Sequence, residues 1–151
     1  MSNIQSYYDM IERIIQSFGV DPVSCRGNQA GSWSLVRGSA KVYIDCWHIE
    51  SQGRAYFQVM SPVMKVPDNN RETFFSDLLQ FNDKLFSCAF AIYNDWAWIK
   101  MIRETDGLDQ DEAAAIMQRV GAYADQYDDL LKQHYESTAD VSTANADGAG
   151  R

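Results

Sequence analysis

Histidine, proline, cysteine and basic residues are all scarce in this sequence of 151 residues: two His, three Pro and three Cys, with 13 Lys plus Arg against 21 Asp plus Glu. The shortage of cations leaves a formal charge of −8 at pH 7, and no cluster of Lys and Arg interrupts the chain. Duplex nucleic acid and anionic lipid surfaces are therefore poor partners, because both are held by concentrated positive charge. Missing too is any apolar run near the ~18 residues of a membrane-spanning helix. The opening MSNIQSYYDMIERIIQ mixes charges among its apolar residues, unlike a secretory leader, so the expected setting is the cytoplasm. Cys25, Cys46 and Cys88 are odd in number and unrelated in spacing, as for buried, reduced thiols. Gly27, Gly31 and Gly38 are spaced as turn residues with no Lys-Ser or Lys-Thr after them, so a phosphate-binding loop is absent.

What is present is an apolar share of 46% with 23% charged residues, the composition of one soluble globular domain. At this length about 70% of the unfolded chain's surface should leave water on folding, so disulfide or metal staples are unnecessary. Ile4, Tyr7, Tyr8, Ile11, Ile14, Ile15 and Phe18 follow the spacing of an amphipathic helix, which Gly19 and Pro22 end. Residues 21–31 read as connection. From Trp33 the period falls to two. Strands are expected around Trp33–Leu35, Val42–Ile49 and Ala55–Ser61, joined by tight turns at Gly38-Ser39 and Ser51-Gln52-Gly53, with Pro62 and Pro67 ending the sheet run. Asn69 and Glu72 have the spacing of a capping box before a second helix with Phe74, Phe75, Leu78, Leu79, Phe81, Asn82 and Leu85 on a broad apolar surface. Strands over Phe86–Tyr93 and Trp96–Arg103 flank a two-residue Asn94-Asp95 turn. Asp109 and Glu112 open a third, longest helix running through Tyr135.

The element order is α-β-β-β-α-β-β-α, an α+β fold with a twisted, mostly antiparallel five-stranded sheet and helices over at least one face. Residues 1–135 form the expected domain. Residues 136–151, built of small and polar residues without apolar period, are expected to be a disordered tail.

Groups able to do chemistry are few. Cys46 and His48 lie two apart on a strand and so share a face, yet two ligands fall short of the four a structural zinc needs. Asp45 faces the other way, toward a cross-strand partner or solvent. Asp109, Asp111 and Glu112 belong to a helix first turn, where acids favour the helix dipole; Asp128 and Asp129 point in different directions. The segment 109–136 carries seven acidic and two basic residues, a solvated acidic face. No catalytic residue, cofactor or metal site is expected.

The aromatic load is the exception. Trp33, Tyr43, Trp47, Tyr56, Trp96 and Trp98 fall on strands whose other-face neighbours are also apolar. Either these rings fill one core, or one sheet face and the broad surface of the second helix are left for a partner, because monomers seldom expose large apolar patches.

Several phrases occur in an order that resembles the YbjN family: Val42-Tyr43-Ile44-Asp45, Leu78-Leu79-Gln80-Phe81-Asn82, Ala89-Phe90-Ala91-Ile92, Gly107-Leu108-Asp109 and Ala124-Asp125-Gln126-Tyr127-Asp128. The resemblance covers about residues 4–135. It implies the fold of the type III secretion chaperones and a small, acidic, usually dimeric cytoplasmic protein without enzymatic chemistry, which binds peptide segments of other proteins or acts in regulation. By that analogy Phe74, Phe75, Leu78 and Phe81 of the middle helix are candidate dimer contacts. The sheet aromatics are candidate partner contacts. The expectation is thus a non-enzymatic, homodimeric, chaperone-like binding protein, the alternative being a regulatory scaffold with one specific protein partner.

Overall fold

The helical spacing at the start becomes α1 (Ile4–Ser17), which buries Met10, Ile11, Ile14 and Ile15. The computed structural model describes residues 4–136, so the expected tail, apart from Glu136, lies outside the described residues. In the connection that follows, the Asp21 carboxylate accepts from the Val23 amide at 3.1 Å and Pro22 takes the first helical position, which is enough to wind the single turn α2 (Pro22–Cys25).

Five strands follow: β1 (Ser32–Arg37), β2 (Ala40–Ile49), β3 (Arg54–Lys65), β4 (Ala89–Tyr93) and β5 (Trp96–Glu104). They form one sheet in the order β1-β2-β3-β5-β4, each neighbouring pair antiparallel. The β4–β5 turn places Asn94 and Asp95 at φ 51° and 64°, the left-handed backbone that a two-residue hairpin requires. The remaining helices are α3 (Arg71–Asn82), between β3 and β4, and α4 (Gln110–Leu131), which ends in a wider-wound turn over Lys132–Glu136.

One sheet face makes the core. Val42, Ile44, Cys46, Phe57, Val59, Ala97 and Ile99 are buried together with Ala113, Ile116, Met117, Val120 and Ala124 of α4. Gly121 marks the closest approach of helix to sheet, since a Cβ there would lie 3.2 Å from Arg37 and 3.3 Å from Val42. At the far end Phe74 of α3 meets the Tyr135 ring edge-on at 4.9 Å, and Phe81 packs 4.9 Å from Tyr127. Tyr135 also donates to the Asp77 carboxylate, tying the end of α4 to α3.

Three local expectations are corrected. β3 continues through Pro62, because the strand shifts register between Pro62 and Met64 and its ladder with β2 stops at Met60. The buried Ser61 hydroxyl bonds the Lys41 carbonyl at 2.8 Å, on the side where Pro62 has no amide to offer. The Asn69–Glu72 capping box does not form: Asn70 precedes the helix at φ 60° and makes no side-chain cap. Asp109 does cap α4, accepting from the Glu112 amide at 2.8 Å. Finally, β4 starts at Ala89 rather than Phe86, because the Asn82 side chain takes the Phe90 amide at 2.6 Å and Ser87 turns at φ 62°.

Truncation at the two sheet faces should separate them. Phe57→Ala should cost about 3–5 kcal/mol in urea unfolding, whereas Trp47→Ala, on the opposite face, should cost about 1 kcal/mol. Equal losses would contradict the one-sided core.

Candidate protein-binding face

Strand alternation sends the other half of the side chains to the face opposite α1, α3 and α4. Burial alternates with it: core-facing residues of β2, β3 and β5 are largely buried, and their neighbours are half-buried or exposed. Cross-strand register then defines the rows. Tyr43 pairs with Met60 and Met60 with Lys100; Trp47 pairs with Tyr56 and Tyr56 with Glu104; Pro62 pairs with Trp98 and Trp98 with Ala91. Five of the six strand aromatics singled out from the sequence, Tyr43, Trp47, Tyr56, Trp96 and Trp98, therefore share this open face.

The rings form two groups. Trp47 and Tyr56 lie 6.0 Å apart, with the Tyr56 hydroxyl donating to Gln52 at 2.6 Å. Toward the other end Trp98 contacts Tyr43 at 5.8 Å and Tyr93 at 6.1 Å. The Trp98 indole N–H donates to the Tyr93 carbonyl at 3.1 Å, which fixes the ring in place. Between the groups runs the row Asp45, Gln58, Ile102, polar at its first two positions. Such tilted pairs cover part of each other's area, so the rings are half-buried without a helix above them. Trp96 is 39% exposed and Ile102 45%.

The sixth aromatic departs from the expectation. Trp33 pairs with Ile44, which puts it on the core face, where it is buried edge-on against Tyr8 at 5.6 Å. Its indole N–H donates to Glu12 at 2.8 Å, and Arg26 binds the same carboxylate. These bonds, the Arg26 one foremost, hold the Glu12 carboxyl below its ordinary range. Trp33 is thus a core residue and not a partner contact.

The middle helix is likewise more internal than expected. Phe74 and Leu78 are buried, and Phe75 and Phe81 are half-buried. Phe74 and Leu78 are corrected from surface contacts to core. The exposed apolar residues of this region are Leu79 at 71% on α3, Phe86 at 73% in the following loop, and Ile92 on the edge strand β4. Nothing in the sequence marks Phe86 or Ile92 beyond their apolar character. Tyr93, 57% exposed, completes the Trp98 group.

The Cys46–His48 pair offers little chemistry. Cys46 sits in the core, where burial pushes its thiol up to about 12, away from the reactive thiolate. Burial also raises Cys88, to about 11, against the opposing pull of Arg119. His48 approaches the exposed Glu50 at 3.5 Å, and Asp45 accepts from its cross-strand neighbour Ser32 at 2.7 Å. Among the described residues no group of three or more His, Cys, Asp or Glu is placed to hold a metal. No helix among them is long and apolar enough to cross a membrane.

Comparison with known proteins agrees with this arrangement at the level of fold. The solved ExsC–ExsE complex contains a chain that superposes with a TM-score of 0.66 at 15% identity, covering 87% of this chain and 97% of that one. A chain of the HopA1–SchA chaperone–effector complex does so with a TM-score of 0.59 at 8% identity, covering 82% and 93%. No curated protein matches the chain. The model of the YbjN family, described as "Putative bacterial sensory transduction regulator", matches residues 7–133. That match spans most of the sequence, and the chain belongs to the YbjN family.

Proposed function

We propose that this protein is a non-enzymatic, chaperone-like adaptor that works as a homodimer and holds segments of other proteins against its open sheet face. One observation carries the reading: Tyr43, Trp47, Tyr56, Trp96 and Trp98 gather on the face that no described helix covers. Aromatic rings already fixed by packing and hydrogen bonds lose little freedom on binding, and such residues dominate protein interfaces. The similar solved folds come from an ExsC–ExsE complex and a chaperone–effector complex, which supports protein partners over small molecules. Among the described residues the two carboxylates on the strands of this face are engaged in the cross-strand pairs Asp45–Ser32 and Arg54–Glu104, which favours binding over acid–base chemistry.

The homodimer part of the proposal rests on a different edge. Leu79, Phe86 and Ile92 are exposed on α3, the loop after it and β4, beside the half-buried Phe75 and Phe81. A second copy meeting this region would cover what the subunit's own core leaves bare. The family description favours a second reading, a regulatory scaffold serving one specific partner. Affinity purification separates the two: one stoichiometric partner indicates the scaffold, many unfolded segments the chaperone.

In light scattering the protein should have the mass of a dimer, and the double variant Leu79→Asp, Phe86→Asp should be a folded monomer; a monomeric parent protein would contradict the dimer. Trp98→Ala should weaken client binding by about 2 kcal/mol, read as lost protection of the reduced insulin B chain against aggregation. Unchanged protection would remove the open face from the binding reaction.

A further inference from the structure

The proposed binding face differs in charge from the rest of the molecule. Its strands contribute four cations, Lys41, Arg54, Lys65 and Lys100, against two carboxylates, Asp45 and Glu104. Both carboxylates are already engaged. Glu104 pairs with Arg54 at 2.6 Å, and Asp45 accepts from Ser32 at 2.7 Å. Lys41, Lys65 and Lys100 form no ion pair among the described residues. They surround the Trp98 group: the Lys41 ammonium lies 5.2 Å over the Tyr43 ring, Lys65 pairs with Trp96, and Lys100 follows Trp98 on the same side of β5. A chain of net charge −8 thus places free cations around its exposed rings, while α4, with five acidic residues and one basic, lies behind the sheet.

We infer that the partner segment is acidic, carrying carboxylates between apolar side chains that seat on Trp98 and Tyr43. This rests on the reading of the open face as a binding surface and adds the sign of the partner. The same charges disfavour a second copy on this face, because a two-fold contact sets a patch against itself and would bring lysine to lysine. They also disfavour a nucleic acid strand. Three free cations within a molecule of charge −8 are few for a polyphosphate, and the rings here pack at 60° and 65° against one another rather than standing free for bases to stack. A short acidic segment needs only the local field, which acts within about 10 Å at ordinary salt.

The test uses two labelled peptides on the full-length protein, one alternating aspartate with leucine and the other alternating lysine with leucine, followed by fluorescence anisotropy. The aspartate peptide should bind at least about tenfold tighter, weaken as salt rises, and lose that preference in the triple variant Lys41→Glu, Lys65→Glu, Lys100→Glu. Should that variant not fold, the salt dependence on the parent protein decides the same question. Equal binding of both peptides, with each displacing the other and Trp98→Ala weakening both, would overturn the acidic partner and leave the open-face reading standing. Binding of neither would overturn the acidic partner, and undiminished client protection in Trp98→Ala would then remove the open face as well. Tighter binding of a single-stranded oligonucleotide than of the aspartate peptide would also overturn the inference.

Discussion

A sheet with apolar side chains on both faces needs two covers, and the described residues supply one. α4 lies along the core face, Gly121 lets it approach closely, and α1 and α3 close the ends of the same layer. Among the described residues the opposite face has only its own rings for cover. Pairing Trp47 with Tyr56, and Tyr43 and Tyr93 with Trp98, hides part of each ring from water, but area remains. The proposed client binding follows from that residue of uncovered area.

The topology explains why no described helix covers the second face. β3 runs directly into α3, and the chain returns as the β4–β5 hairpin, with β5 pairing to β3 and β4 left at the edge. All three long helices therefore end on one side. The free edge of β4 is itself restrained, because Asn82 occupies the Phe90 amide that an added strand would use. This favours the proposed use of the face and of the exposed side of α3 over a bare strand edge. The chemistry is consistent with binding: the core thiol of Cys46 is held as the neutral form, and His48 has an exposed carboxylate for company rather than a set of metal ligands.

Much of this was legible in the residues. The change of period at Trp33, the Asn94-Asp95 turn and the Asp109 cap each depend on local backbone chemistry, and local chemistry survives folding. Trp33 itself was readable but misassigned: a two-residue turn at Gly38-Ser39 pairs it with Ile44, and so with the core face, opposite in parity to Tyr43. The middle helix was less accessible. Its apolar residues span a wide arc, so spacing alone does not decide that Phe74 and Leu78 point inward while Leu79 points out; the position of Tyr127 on α4 and of Tyr135 in the turn that ends it decides it. Pro62 inside β3 depends on a bulge and on a hydroxyl from Ser61, a tertiary arrangement that no local pattern announces. The charge contrast between the two layers was equally hidden, since it arises only when Lys41, Lys65 and Lys100 from three strands meet beside Trp98.

The most direct test of the account is hydroxyl-radical footprinting of the protein alone and with a bound protein partner, located by mass spectrometry. Tyr43, Trp47, Tyr56, Trp96 and Trp98 should be oxidised in the free protein and protected in the complex, with Trp33 and Phe57 unlabelled in both. Labelling that leaves the five open-face rings untouched in the free protein, or unchanged when the partner is bound, would contradict it.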